Sequence, residues 1–184
     1  MQVKFTQMQD GSAADYDLID KHDLETARRL PDRILAQLRL MAEDQGAYQI
    51  DRLQHVLQTA TRAERDGADQ DWIIAALLHD IGDGLAPFCH GDYAAEILRP
   101  FIRDDVCWVV RHHPIFQQHY FANRPDSERE ARQRFCGHAH YQLAIDFCQN
   151  WDQCSFDPGY ETLSLEHFEP MLRRVFAREP FNRT

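Results

Sequence analysis

The chain has 184 residues, 43% of them hydrophobic, enough for one domain with a sizeable core. A formal net charge of -10 disfavours nucleic acid and anionic membranes as partners. Five cysteines (Cys89, Cys107, Cys136, Cys148, Cys154), odd in number and without a CxxC, point to free thiols in a reducing compartment. The opening M-Q-V-K-F-T-Q-M is too polar for a signal peptide, and no apolar run is long enough to span a bilayer. The expectation is a cytoplasmic protein with no membrane partner.

Ser12 can cap a first helix reaching about Arg29, with Tyr16, Leu18 and Ile19 apolar. Pro31 opens a second, where Ile34, Leu35, Leu38 and Met41 recur at helical spacing until Gly46. Neither proposes chemistry; both read as scaffold over 12–45. The third helix begins near Asp51, and its core stripe is Leu53, Val56, Leu57, Ala60 and Ala63. His55 lies off that stripe, on a side it shares with Gln58 and Thr59, and taken alone it reads as solvent-exposed. Asp66-Gly67 ends this helix.

The central stretch is W-I-I-A-A-L-L-H-D-I-G-D, Trp72 to Asp83. Its unbroken apolar run predicts a helix buried on all sides, capped by Asp69 and stopped by Gly82. His79 and Asp80 follow the run, and such groups are costly beside apolar positions unless compensated. A His-Asp hydrogen bond at a helix end would compensate them. A divalent metal would too, taking neutral imidazole nitrogen and ionised carboxylate oxygen.

His90 then opens a helix stopped by Pro100, and Asp104 caps one that Pro114 is expected to end, leaving His112 and His113 at its C-terminus. The charged segment from Asn123 to Arg134 reads as a solvated face, or as a source of arginines for an anionic ligand. A last amphipathic helix carries Leu143, Ala144, Phe147, Cys148 and Trp151 on one face and delivers Asp152. S-F-D-P-G-Y is a turn, and Leu165 to Arg178 a closing helix. No segment alternates like a strand, so the fold class is all-α, a bundle of seven or more helices.

Each histidine alone has an ordinary structural explanation. Together His55, His79-Asp80 and Asp152 form an H…HD…D series, with His90 and His113 between its last two members. The series resembles the HD-domain superfamily, from roughly Leu53 to Phe176. Its flanks are similar to the mixed-valent di-iron oxygenases of that superfamily, the inositol oxygenase and hydroxyalkylphosphonate oxygenase group. The matching pieces are H-x-x-Q-T-A at His55, H-x-D-Y at His90, Arg111 with His113 and His119, and W-D-Q at Trp151.

The resemblance implies a single HD domain over 1–184 with a metal-binding core of about 51–178. It implies two iron ions, Fe(II)/Fe(III). His55, His79, Asp80 and Asp152 would hold one, Asp80, His90 and His113 the other, with Asp80 as the catalytic bridging ligand. The implied activity uses O2 as co-substrate to cleave the C–P bond of a small 1-hydroxyalkylphosphonate, giving phosphate and a carboxylate. A metal-dependent phosphohydrolase acting on a nucleotide or phosphomonoester is the alternative. Where relatives carry Lys or His three places after the HD aspartate, this chain has Asp83, and Gln117 and Gln149 stand where basic residues meet the phosphonate. With aromatics such as Phe88, Phe116 and Tyr120, Asp83 points to a quaternary ammonium head-group, as in 1-hydroxy-2-(trimethylammonio)ethylphosphonate. Arg111, Gln117, His119 and Tyr48 complete the expected substrate contacts.

Overall fold

A computed structural model of the chain describes residues 2–43 and 46–181. Among these residues there are nine α-helices and no strand, and no helix is long and apolar enough to cross a membrane. The helices are α1 (Ala13–Arg28), α2 (Leu30–Leu40), α3 (Arg52–Arg65), α4 (Gln70–Leu78), α5 (His90–Leu98), α6 (Asp104–Gln117), α7 (Asp126–Arg129), α8 (Tyr141–Phe147) and α9 (Leu165–Phe176). The second helix gives way at Met41 to a short 3-10 turn, Met41–Glu43, before the expected stop at Gly46; residues 44–45 lie outside the described residues.

Helix α4 is the axis of the bundle. Asp69 caps it by accepting from the amides of Asp71 and Trp72, and Ile73 to Leu78 are all buried. With no polar face, the helix is stable only because α3, α6 and α9 enclose it. It ends at Leu78, four residues short of Gly82, and the chain continues in tight turns. His79 and Asp80 therefore sit on the exit turn, where helix carbonyls lack amide partners.

Helix α3 departs from its sequence pattern in an informative way. It begins where expected, with Asp51 as its cap, yet its polar side is buried too. The segment after α8 lies across that side and meets its polar groups one by one. Gln58 bonds Asp157 in both directions, Thr61 accepts from the Leu163 amide, and Arg62 donates to the Cys154 carbonyl. His55 is thereby enclosed rather than solvated.

Two further departures shape the interior. Helix α6 runs through Pro114 to Gln117, and Arg103 rather than Asp104 is its N-cap residue. Pro114 has no amide to give the Val110 carbonyl; the His113 ring supplies the missing donor at 2.6 Å, so the helix continues. Helix α8 widens at its end into a single π-helical turn, Cys148–Asp152, closed by the Gln153 amide on the Cys148 carbonyl. Such turns arise where a side chain must be re-aimed. Here the turn carries Asp152 to 2% exposure in the middle of the bundle.

Candidate metal centre

Four imidazoles and two carboxylates meet where α3, the α4 exit turn, α5, α6 and the π turn converge. Three of the rings are oriented by backbone carbonyls: His55 Nδ1 on Ser155 at 2.9 Å, His79 Nδ1 on Ala76 at 2.8 Å, and His113 Nδ1 on Val110 at 2.6 Å. A carbonyl only accepts, so each Nδ1 carries a proton and each Nε2 is turned inward.

The carboxylate of Asp80 lies between two pairs of rings. Its Oδ2 is 3.4 Å from His55 Nε2 and 3.5 Å from His79 Nε2. Its Oδ1 is 3.1 Å from His113 Nε2 and 3.4 Å from His90 Nε2. Asp152 faces only the first pair, with Oδ1 at 3.3 Å from His55 and 3.7 Å from His79. The donors thus divide into an inner group, His55, His79, Asp152 and one oxygen of Asp80, and an outer group, His90, His113 and the other oxygen. The tightest three-residue groups, with ligand atoms all within 4.8 Å, are His55–His79–Asp152 and His79–Asp80–His113. His90 is in neither and meets the centre at Asp80 and at the His113 ring, 5.2 Å between centroids.

The donor set fits metal ions. His55 Nε2 and His79 Nε2 are 3.2 Å apart, and with both Nδ1 protonated two lone pairs would face each other there. Only a cation or a shared proton relieves that. The electrostatics agree. Burial works against charging His55, but the Asp152 and Asp80 carboxylates more than offset it and push its pKa up to about 10. His113 is likewise raised, Asp80 outweighing the effect of burial. Burial would raise both carboxylates, yet the surrounding histidines hold Asp80 and Asp152 below the usual range. Among the described residues every ion-pair partner of these two carboxylates is a histidine. Without bound metal, protons have to supply the positive charge.

A cavity of about 540 Å³ opens onto the centre, touching every donor except His79, and is the size of a small-molecule site. Of the residues expected at the substrate, Tyr48, Asp83 and Gln117 line it. Tyr48 does not enter the donor cluster: it stacks on Phe156 (4.8 Å), which in turn stacks on His55 (4.4 Å). Asp83 is ion-paired to Arg52 and stands 3.3 Å from His90 Nδ1. Gln117 donates to Asp152 Oδ1 at 3.1 Å, and its own carbonyl oxygen is buried without a partner.

Arg111 and His119 lie outside the cavity. Arg111 pairs with Asp92 and Glu96 on α5, and His119 with Glu130. Phe116 is a core residue, and Tyr120 does not line the cavity; the aromatic walls are Tyr48, Phe88, Phe121 and Phe156. Gln149 is exposed on the π turn. His112 turns away from the centre and stacks on Trp108 at 4.3 Å. Arg52, Arg124 and Phe156 reach the cavity without having been singled out individually. Arg124 belongs to the 124–134 segment whose arginines the sequence offers to an anion, and Phe156 is a large aromatic in a Pro-Gly turn with no helix to pack it.

Residues 52–140 match the family described as HD domain. The chain is also similar to a [1-hydroxy-2-(trimethylamino)ethyl]phosphonate dioxygenase (glycine-betaine-forming) from Leisingera caerulea, with 32% identity. That alignment covers 40% of this chain and 43% of the relative, so it spans less than half the relative's length.

Proposed function

We propose that the HD-type centre of this chain holds two iron ions and catalyses O2-dependent cleavage of the C–P bond in a small 1-hydroxyalkylphosphonate. The observation that carries this reading is the position of Asp80, one oxygen toward each pair of histidines. A carboxylate so placed would be shared by two cations, as in two-metal sites. The inner ion would be held by His55, His79, Asp152 and Asp80, the outer by His90, His113 and Asp80. An outer site with three protein ligands leaves room for substrate on the cavity side. A bound Fe(II)/Fe(III) pair would supply the activation of dioxygen and the oxidation at the hydroxyl-bearing carbon.

The chain's own residues bind and orient. Tyr48, Phe88 and Phe121 line the cavity and offer ring faces suited to a quaternary ammonium, while Phe156 is stacked against both Tyr48 and His55. Arg124, paired on its own segment with Glu128 at 3.4 Å, lines the same cavity along with Arg52 and is the cation nearest to hand for an anionic oxygen entering it. The buried Gln117 carbonyl is placed to accept a hydrogen bond from a hydroxyl. These features, with the relative's substrate, support 1-hydroxy-2-(trimethylammonio)ethylphosphonate as the first compound to test.

The experiment is anaerobic purification with metal analysis and EPR, followed by oxygen uptake on adding that phosphonate or its primary-amine counterpart. The reading expects two irons, a mixed-valent signal that changes with substrate, and release of phosphate in step with O2 consumption. Two irons without such a signal or any oxygen uptake would refute it. Phosphate release from nucleotides without oxygen would favour the phosphohydrolase instead.

A further inference from the structure

His55, His79 and His113 are all oriented by backbone carbonyls, but His90 is not held in the same way. Its Nδ1 is buried and makes no hydrogen bond of good geometry, and it stands 3.3 Å from Asp83 Oδ1. The Pro87 carbonyl also approaches the ring. The other oxygen of Asp83 is engaged by Arg52.

Asp83 thus joins three elements. It lies on the α4 exit turn, its amide bonded to the Asp80 carbonyl at 3.0 Å. Arg52 is the first residue of α3, one turn before His55, and His90 is the first residue of α5. With one oxygen toward a guanidinium and the other toward an imidazole, the carboxylate is engaged at both oxygens by the protein's own groups.

We infer that Asp83 is a positioning residue for His90, its carboxylate holding the ring so that Nε2 faces Asp80 and the outer cation site. The inference rests on the two-cation reading above. Asp83 fixes the proton on His90 Nδ1 and lends the ring negative charge, which makes Nε2 a better donor. Arg52 holds the carboxylate in place and neutralises part of its charge. His90 is therefore tuned by an ionic relay, whereas His55, His79 and His113 are tuned by neutral carbonyls. The residue facing the cavity three places after Asp80 serves the metal, not the substrate.

The test is an Mn(II) titration of the metal-free full-length chain, followed by EPR, for wild type, Asp83→Asn and Asp83→Ala. Wild type is expected to take two Mn(II) and to show the exchange-coupled spectrum of a pair. Asp83→Asn is expected to keep the first ion at unchanged affinity and to bind the second about 10–100-fold more weakly. At two equivalents its spectrum would be that of isolated Mn(II), and Asp83→Ala would be at least as severe. Variants that bind both ions as tightly as wild type would overturn the inference, since the Pro87 carbonyl would then suffice. Variants that lose both ions together would also overturn it, because Asp83 would then be a determinant of the fold. Wild type taking only one ion would sink the two-cation reading itself.

Discussion

The ring of His113 donates from Nδ1 to the carbonyl of Val110 at 2.6 Å, and Val110 is the residue whose carbonyl Pro114 leaves without an amide. One substitution in a helix thus orients a proposed metal ligand and satisfies a buried acceptor. Pro114→Ala would restore an amide donor that competes with the ring. We expect the metal-free variant to gain about 1–2 kcal/mol, part of the ~3 kcal/mol that proline costs in a helix interior, while metal affinity falls. Thermal denaturation with and without Mn(II) checks both signs; a variant that gains on both counts refutes the role given to Pro114.

Asp80 is shared and His90 is not, so their removal has different consequences. Asp80→Ala is expected to weaken both ions by more than about 100-fold, above the usual effect of losing an outer-shell partner. His90→Ala should leave one ion bound and abolish turnover. Metal-to-protein ratios after gel filtration separate the outcomes, and equal ratios for the two variants would contradict the division into inner and outer groups.

Stability of the metal-free protein should depend on pH in a way set by the centre. The pKa of His55 is raised in the fold, to about 10, and that of His113 is raised as well, each by neighbouring carboxylates acting against burial. Their contribution is complete below the unfolded histidine value of about 6.5 and disappears as pH climbs toward the folded values. Asp80 and Asp152 are lowered. They contribute above the unfolded carboxylate value of about 3.9 and fail as pH falls through their folded values. The expected Tm profile with EDTA is a plateau over mildly acidic pH and a decline toward pH 10. With metal bound the imidazoles are neutral, so the alkaline decline should flatten. A Tm that does not fall between pH 7 and 10 in EDTA would contradict this account.

Helices α5 and α6 approach closely at Gly91, where a Cβ would lie 2.7 Å from the Arg111 carbonyl oxygen and 3.1 Å from the Pro114 ring. The nearest obstacle is backbone and cannot swing aside. Gly91→Ala is expected to cost about 1–3 kcal/mol and, by pushing α5 outward, to loosen the outer site next to His90. Chemical denaturation and a metal titration on the same variant read the two effects; wild-type stability would mean the helices part more easily than their packing indicates.

Much of the centre was legible because its chemistry contradicts its setting. A histidine and an aspartate behind seven apolar residues, and another aspartate behind a tryptophan, are conspicuous in any sequence. The surroundings of His55 were not legible, since the segment that buries it lies about 100 positions further on, at Ser155, Asp157 and Leu163. Pro114 reads as a stop because local rules cannot foresee a ring nitrogen replacing an amide. The pairing of Arg52 with Asp83, and of Arg111 with Asp92 and Glu96, depends on which helix faces which. Spacing along one chain does not contain that information.

The donors differ in depth as well as in grouping. Side-chain exposure is 0% at His79 and 3% at Asp152 in the inner group, against 19% at His90 in the outer; His55 at 7% and His113 at 3% differ little, and Asp80 at 18% serves both. Two ions seated there would therefore queue, the deeper one arriving first and leaving last. A chelator in solution meets the shallow ion at the cavity mouth and gains the other only after that one has gone. Stripping would then proceed in two unequal phases, through a half-loaded protein that can be isolated and studied.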